Sequence, residues 1–176
     1  RVSAADCGIE PAARPSQEDV ERLVRSLSGE LRVPEPSINL GPDPSVNEWK
    51  MAVIGHPLWL WTDTPRTATS SHTGSGLSIE IRAELAALTF DMGDGRTVRC
   101  SRWTRYTTAV LPGAPSPTCG HTYQHPSLPA RSYMVTATAD WSAHWTAMGY
   151  NGTLPLRSVS SRAVPVGELQ AVVVQR

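Results

Sequence analysis

The chain is poor in residues that many protein classes depend on. Of its 176 residues, one is Phe and one is Lys, Lys50. Arg supplies nearly all the cations, they balance the carboxylates, and the formal net charge is zero. There is no basic stripe for a nucleic-acid backbone to follow, so a nucleic-acid partner is not expected. No apolar run reaches the roughly 18 residues of a membrane-crossing helix, so no transmembrane segment is expected. There is no GxxxxGKS/T phosphate loop, no HExxH, no GxSxG and no Cys/His nucleophile context. Those absences remove the signatures of nucleotide binding, zinc proteolysis and acyl transfer. Cys7, Cys100 and Cys119 form no CxxC, which removes the common zinc and thioredoxin spacings. The expectation is a non-enzymatic protein with no catalytic residue, no metal and no cofactor.

Turn-formers and Trp are plentiful. Fifteen Pro and thirteen Gly point to many turns and a β-rich fold rather than a helical bundle. A hydrophobic content of 40% is enough for a core, and six Trp must supply most of its large rings. The length suits one domain with an appended segment. No signal peptide opens the chain at Arg1; a mature form with its leader removed is the expectation.

The cysteines bear on compartment. Cys100 ends a candidate strand, and Cys119 lies just before His121. Between them, Ser101 to Thr118 holds Pro112, Gly113, Pro115 and Pro117 and would be a loose loop for a compact domain. A Cys100–Cys119 disulfide would clamp its base and contribute about 3 kcal/mol. The alternative is two buried thiols. A disulfide implies an oxidising compartment, hence a secreted or cell-surface protein. Cys7 is then left over, free or paired with another chain.

Residues 1–45 read as an N-terminal segment and 46–176 as the main β domain. Ser16 suits an N-cap, with Asp19 three residues on. Val20, Leu23, Val24, Leu27 and Leu31 then draw one apolar stripe, which predicts a helix over 16–31. The stripe packs on its own domain or docks on a neighbour. Pro34 to Pro44 reads as an extended linker along the surface. Met51 to Ile54 and Leu58 to Trp61 read as a kinked edge strand around His56-Pro57, and Thr62 to Gly76 as a polar loop. Alternation predicts strands from Leu77 and from Tyr133, the latter continuing through Trp145. Leu88 to Cys100 reads as a hairpin about Gly93-Asp94-Gly95, and Asn151-Gly152 as a turn. Val159 and Leu169 to Val174 complete about seven strands, the number of an antiparallel β-sandwich.

Three blocks carry a resemblance. Phe90-Asp91-Met92-Gly93-Asp94-Gly95, then His121-Thr122-Tyr123, then Tyr133-Met134-Val135-Thr136-Ala137 together resemble the PKD-domain signature. That signature is an aromatic-Asp-Phe-Gly-Asp-Gly turn, a later His-x-Tyr and a Tyr-x-Val-x strand. The resemblance spans roughly residues 77 to 140 and implies an Ig-like β-sandwich of extracellular proteins, used for adhesion and spacing. Met92 replaces an aromatic, Ser101–Thr118 is a long insertion, and Ser127-Leu128-Pro129-Ala130 replaces a Pro-Gly. Pro57-Leu58-Trp59-Leu60-Trp61, Cys100, Cys119-Gly120-His121 and Trp141 also resemble a group of secreted actinobacterial proteins.

The candidate sites follow. Asp91 and Asp94 either close the turn by accepting its N–H groups or contribute to a Ca²⁺ site, and the turn role is favoured. His121 and His125 flank Tyr123 in a Pro-bounded, non-helical stretch, so packing is expected rather than metal binding. Trp59 with Trp61, and Trp141 with Trp145, share strand faces. They fill the core or form an aromatic platform. Asn151-Gly152-Thr153 matches the glycosylation sequon. Leu23, Leu27, Cys7 and the Trp-rich strand are the candidate assembly residues. The leading expectation is an extracellular structural or assembly subunit that contacts protein, including copies of itself, as a filament or layer. The alternative is a monomeric adhesion module binding protein or cell-wall glycan.

Overall fold

The computed structural model describes residues 13–74 and 76–169. The fold is mainly β; among the described residues it has one α-helix, one short 3-10 helix (Pro44–Val46) and ten strands in three sheets.

Helix α1 (Gln17–Ser26) starts at a reciprocal cap. The Asp19 N–H donates to Ser16 Oγ (3.2 Å), and the Ser16 N–H donates to Asp19 Oδ2 (3.3 Å). The helix ends before the expected Leu31. From Ser28 the backbone tightens into three-residue bonds, Ser28 to Arg25 and Glu30 to Leu27, and this turn carries Leu31 into the core. The Pro-rich stretch after it is pinned to the sheet. Ser158, Ser160 and Arg162 donate side-chain hydrogen bonds to the carbonyls of Pro34, Pro36 and Ile38. The chain then enters β1 (Asn39–Gly41).

Strand β2 (Ala52–Val53) runs parallel to β10 (Val166–Gly167). Strand β3 (Leu58–Trp61) is no edge strand; it lies between β1 and β7 (Gly120–His121). Pro57 precedes it, so the missing N–H costs no ladder bond.

The largest sheet is built on three strands of 15 residues each: β5 (Leu77–Asp91), β8 (Tyr133–Ala147) and β9 (Tyr150–Val164). Each spans about 50 Å. On the far side of β5 from β8 lie β4 (Thr67–Gly74) and β6 (Thr97–Cys100), one after the other. The expected loop at 62–76 is therefore in large part a strand. The apolar residues of β5 change parity, from Leu77, Ile79, Ile81, Ala83 and Leu85 to Leu88 and Phe90. A bulge between Leu85 and Ala87 absorbs the change and keeps both sets on the core side.

Asn151-Gly152 is not a turn. Ala147 pairs with Tyr150, and the two-residue turn is Met148-Gly149, with φ of 51° and 82°. Positive φ at both positions is the hairpin geometry that matches strand twist. Gly152 lies opposite Trp145, and a Cβ there would sit 2.6 Å from the indole. Its role is to make room for that ring.

One apolar cluster contains Val20, Val24, Leu31 and Leu40 together with residues of β3, β5, β8 and β9, so the core runs across position 45/46. Leu169 lies outside any strand; Gln170 to Val174, expected as strand, lie outside the described residues.

Candidate functional site

The Asp91–Gly95 turn closes β5 onto β6 and is held by its own side chains. The Gly93 N–H donates to Asp91 Oδ1 (2.9 Å) and the Arg96 N–H to Asp94 Oδ1 (3.0 Å). Gly93 has φ of 76°, and a Cβ would come within 2.8 Å of the Met134 carbonyl. Gly95 also takes positive φ.

The second oxygen of Asp94 meets His121 Nε2 at 2.8 Å, with side chains only 12% and 6% exposed. The Tyr123 hydroxyl donates to the Met92 carbonyl (2.9 Å). Its ring stacks on Tyr133 at 5.1 Å and takes His121 edge-on at 4.7 Å. Burial pushes the Tyr123 phenol well above the ordinary tyrosine range, and the nearby Asp94, Tyr133 and Asp91 add to the shift. The carboxylates of the turn are thus occupied by N–H groups and His121. His125 is exposed and stands apart. Among the described residues no three His, Cys, Asp or Glu side chains gather as a metal site.

Cys100 and Cys119 form a disulfide with Cα atoms 5.8 Å apart, joining the end of β6 to the start of β7. The loop it closes folds back on the protein. Trp59 Nε1 donates to the Ala114 carbonyl (2.8 Å), Tyr106 packs edge-on against Trp59, and Arg66 sits 4.1 Å over the Trp103 ring.

The Trp pairs do not form an aromatic platform. Trp141 and Trp145 are 2% and 1% exposed in the core, and Trp59 is 7% exposed beneath the loop that carries Tyr106 and Ala114. Trp141 Nε1 donates to Ser158 Oγ (3.1 Å). Trp61 is half-buried, and its buried Nε1 has no acceptor among the described residues. The helix packs on its own chain against β9, with Val20 and Val24 buried, Leu27 half-buried and Leu23 at the margin. Of the two candidate assembly residues, Leu27 is half-buried against the chain's own core and Leu23 is exposed. Cys7 lies outside the described residues.

The open surfaces lie elsewhere. Pro42, Trp49, Met51, Val53, His56 and Leu169 line an apolar cleft of about 250 Å³, and Trp49 is half exposed. The outer face of the long sheet is polar for much of its length, with Met134 and Val159 exposed towards one end. One row runs Thr69, Arg82, His144, Thr153; the next runs Ser71, Glu80, Thr146, Asn151. Further along, Asp140 is clasped by Arg157 Nε (3.0 Å) and Arg99 (3.3 Å).

The two edges of this sheet differ. The β9 edge carries Pro155, opposite Ser142. The β4 edge, Thr-Ala-Thr-Ser-Ser-His-Thr-Gly, has no Pro, Lys, Arg or acidic residue and no bulge. Sequence reasoning missed β4; the signal present was its Thr-rich composition without Gly or Pro before Gly74. Comparison with family models, curated proteins and solved structures returned no match.

Proposed function

We propose that the protein is a non-enzymatic, extracellular structural module that works by protein–protein contact, including contact with copies of itself. The observation that carries this reading is the long sheet with one largely polar face uncovered and one edge, β4, without the charges, prolines or bulges that normally guard an edge strand. An edge of that kind recruits another strand. The half-exposed Trp49 and its apolar cleft supply a second contact patch. The Cys100–Cys119 disulfide supports an oxidising, extracellular setting.

A PKD-like, Ig-type sandwich is our reading of the architecture. It is supported by the way the resembling blocks meet: the turn, His121, Tyr123 and Tyr133 form one packed unit. Adhesion and spacing at a cell surface or in an appendage fit such a module. The glycan-platform alternative loses its main support, since three of the four Trp it relied on are buried.

Size-exclusion with light scattering over a wide concentration range, with and without reductant, tests the proposal. The expected result is a mass above the monomer that rises with concentration in both conditions. A strict monomer at every concentration would contradict it.

A further inference from the structure

We infer that β4 pairs edge to edge with β4 of a second copy, antiparallel about a two-fold axis at Ser70, giving one sheet continuous through a closed dimer. The inference rests on the assembly reading above and names its partner and register.

The ladder shows which backbone groups are free. The Leu85 N–H donates to the Arg66 carbonyl (2.8 Å), in register with the β4–β5 pairing. Hydrogen-bonded and non-hydrogen-bonded pairs alternate in an antiparallel ladder. Ala68, Ser70, His72 and Gly74 therefore bond to β5, while Thr67, Thr69, Ser71 and Thr73 turn their N–H and C=O groups away from it. These outward residues are all exposed, and no strand among the described residues pairs with that side.

A second copy satisfies all of them at once in one register. With Ser70 on the axis, Thr69 faces Ser71 of the copy and Thr67 faces Thr73, each pair exchanging its backbone hydrogen bonds. Hydroxyl residues then face one another on the outer side, a favourable cross-strand combination, and no like charges meet. Centring on Ser71 instead would carry Thr67 past Gly74, the last residue of β4 in the copy. The strand itself carries no Lys, Arg, Asp or Glu, its His72 is held by Glu30 (3.3 Å), and its hydroxyl-lined edge is complementary to itself. Growth stops at two chains through this contact. Pro155 has no N–H to offer a further strand, which weakens the opposite, β9, edge as a pairing site.

The test uses the full chain with Cys7→Ser, so that any new disulfide comes from an introduced cysteine. On the axis Ser70 faces its own copy in a non-hydrogen-bonded pair, with Cα atoms about 4.5 Å apart, within disulfide reach. Ser70→Cys is expected to give an oxidised, reductant-sensitive dimer, and Ser71→Cys far less of it. Thr69→Pro removes an edge N–H and no β4–β5 bond, so it should raise the dimer dissociation constant by about tenfold or more with the monomer's melting temperature little changed. Association that Thr69→Pro leaves intact, or crosslinking no better at Ser70→Cys than at Ser71→Cys, overturns this contact while the assembly reading stands. A wild-type monomer at all concentrations overturns both.

Discussion

Tyr123 ties the smallest structural unit together. It is fully buried, and its hydroxyl satisfies the Met92 carbonyl. Tyr123→Phe leaves that acceptor unpaired and should cost about 1–3 kcal/mol in denaturant unfolding. Its raised phenol also makes stability depend on alkali. The neutral form is favoured in the fold, so the contribution is whole below the ordinary value of 10.0 and is lost as pH rises towards the folded value. Absorbance titration should show one tyrosine that ionises only with unfolding, and Tyr123→Phe should remove it. Asp43 works in the opposite direction. Burial raises its carboxyl, but the hydrogen bonds from Arg162 (2.7 Å) and the Ser45 N–H (2.8 Å) outweigh that and hold it below 3.8. Its contribution is whole above that value and is lost as pH falls through the lower folded one. Asp43→Asn should flatten the acid limb of a melting-temperature profile between neutral pH and pH about 2.

Whole elements depend on two local devices. The disulfide closes a sequence separation of 19 residues, and replacing both cysteines with Ser should cost about 3 kcal/mol. Gly152 admits the Trp145 ring, so Gly152→Ala should cost about 1–3 kcal/mol by overpacking, read by thermal unfolding. These elements also show what the sequence makes legible. Strands β5 and β8 are plain in it because one face is buried along their whole length and alternation follows. The capping box and the Gly93-Asp94-Gly95 turn are equally plain, since their chemistry is local. Strand β4 is hidden because its inward face is only half-buried and carries Ala68, Ser70 and His72, so no apolar alternation marks it. The Met148-Gly149 turn is hidden because Met rarely takes positive φ, while Asn-Gly imitates a turn where Gly152 serves packing. The Trp pairs share faces as their spacing demands, but whether a face is covered depends on elements far away in the chain.

At the scale of the molecule, most of the described groups that suggest chemistry in the sequence are engaged in holding the fold, and the open features are surfaces. Asp91, Asp94, His121 and Tyr123 hold one corner, Trp141 and Trp145 fill the core, and Trp59 is covered by the loop that the disulfide closes. What faces outward is a largely polar sheet about 50 Å long, an apolar cleft and the bare β4 edge. The proposed function by contact rests on that division. Amide hydrogen exchange, followed residue by residue along β4 at low and high protein concentration, tests the claim most directly. The expected result is that Ser70 and His72 are protected throughout, while Thr69 and Ser71 exchange fast when dilute and slowly when concentrated. Fast exchange at Thr69 and Ser71 at every concentration would contradict assembly through this edge.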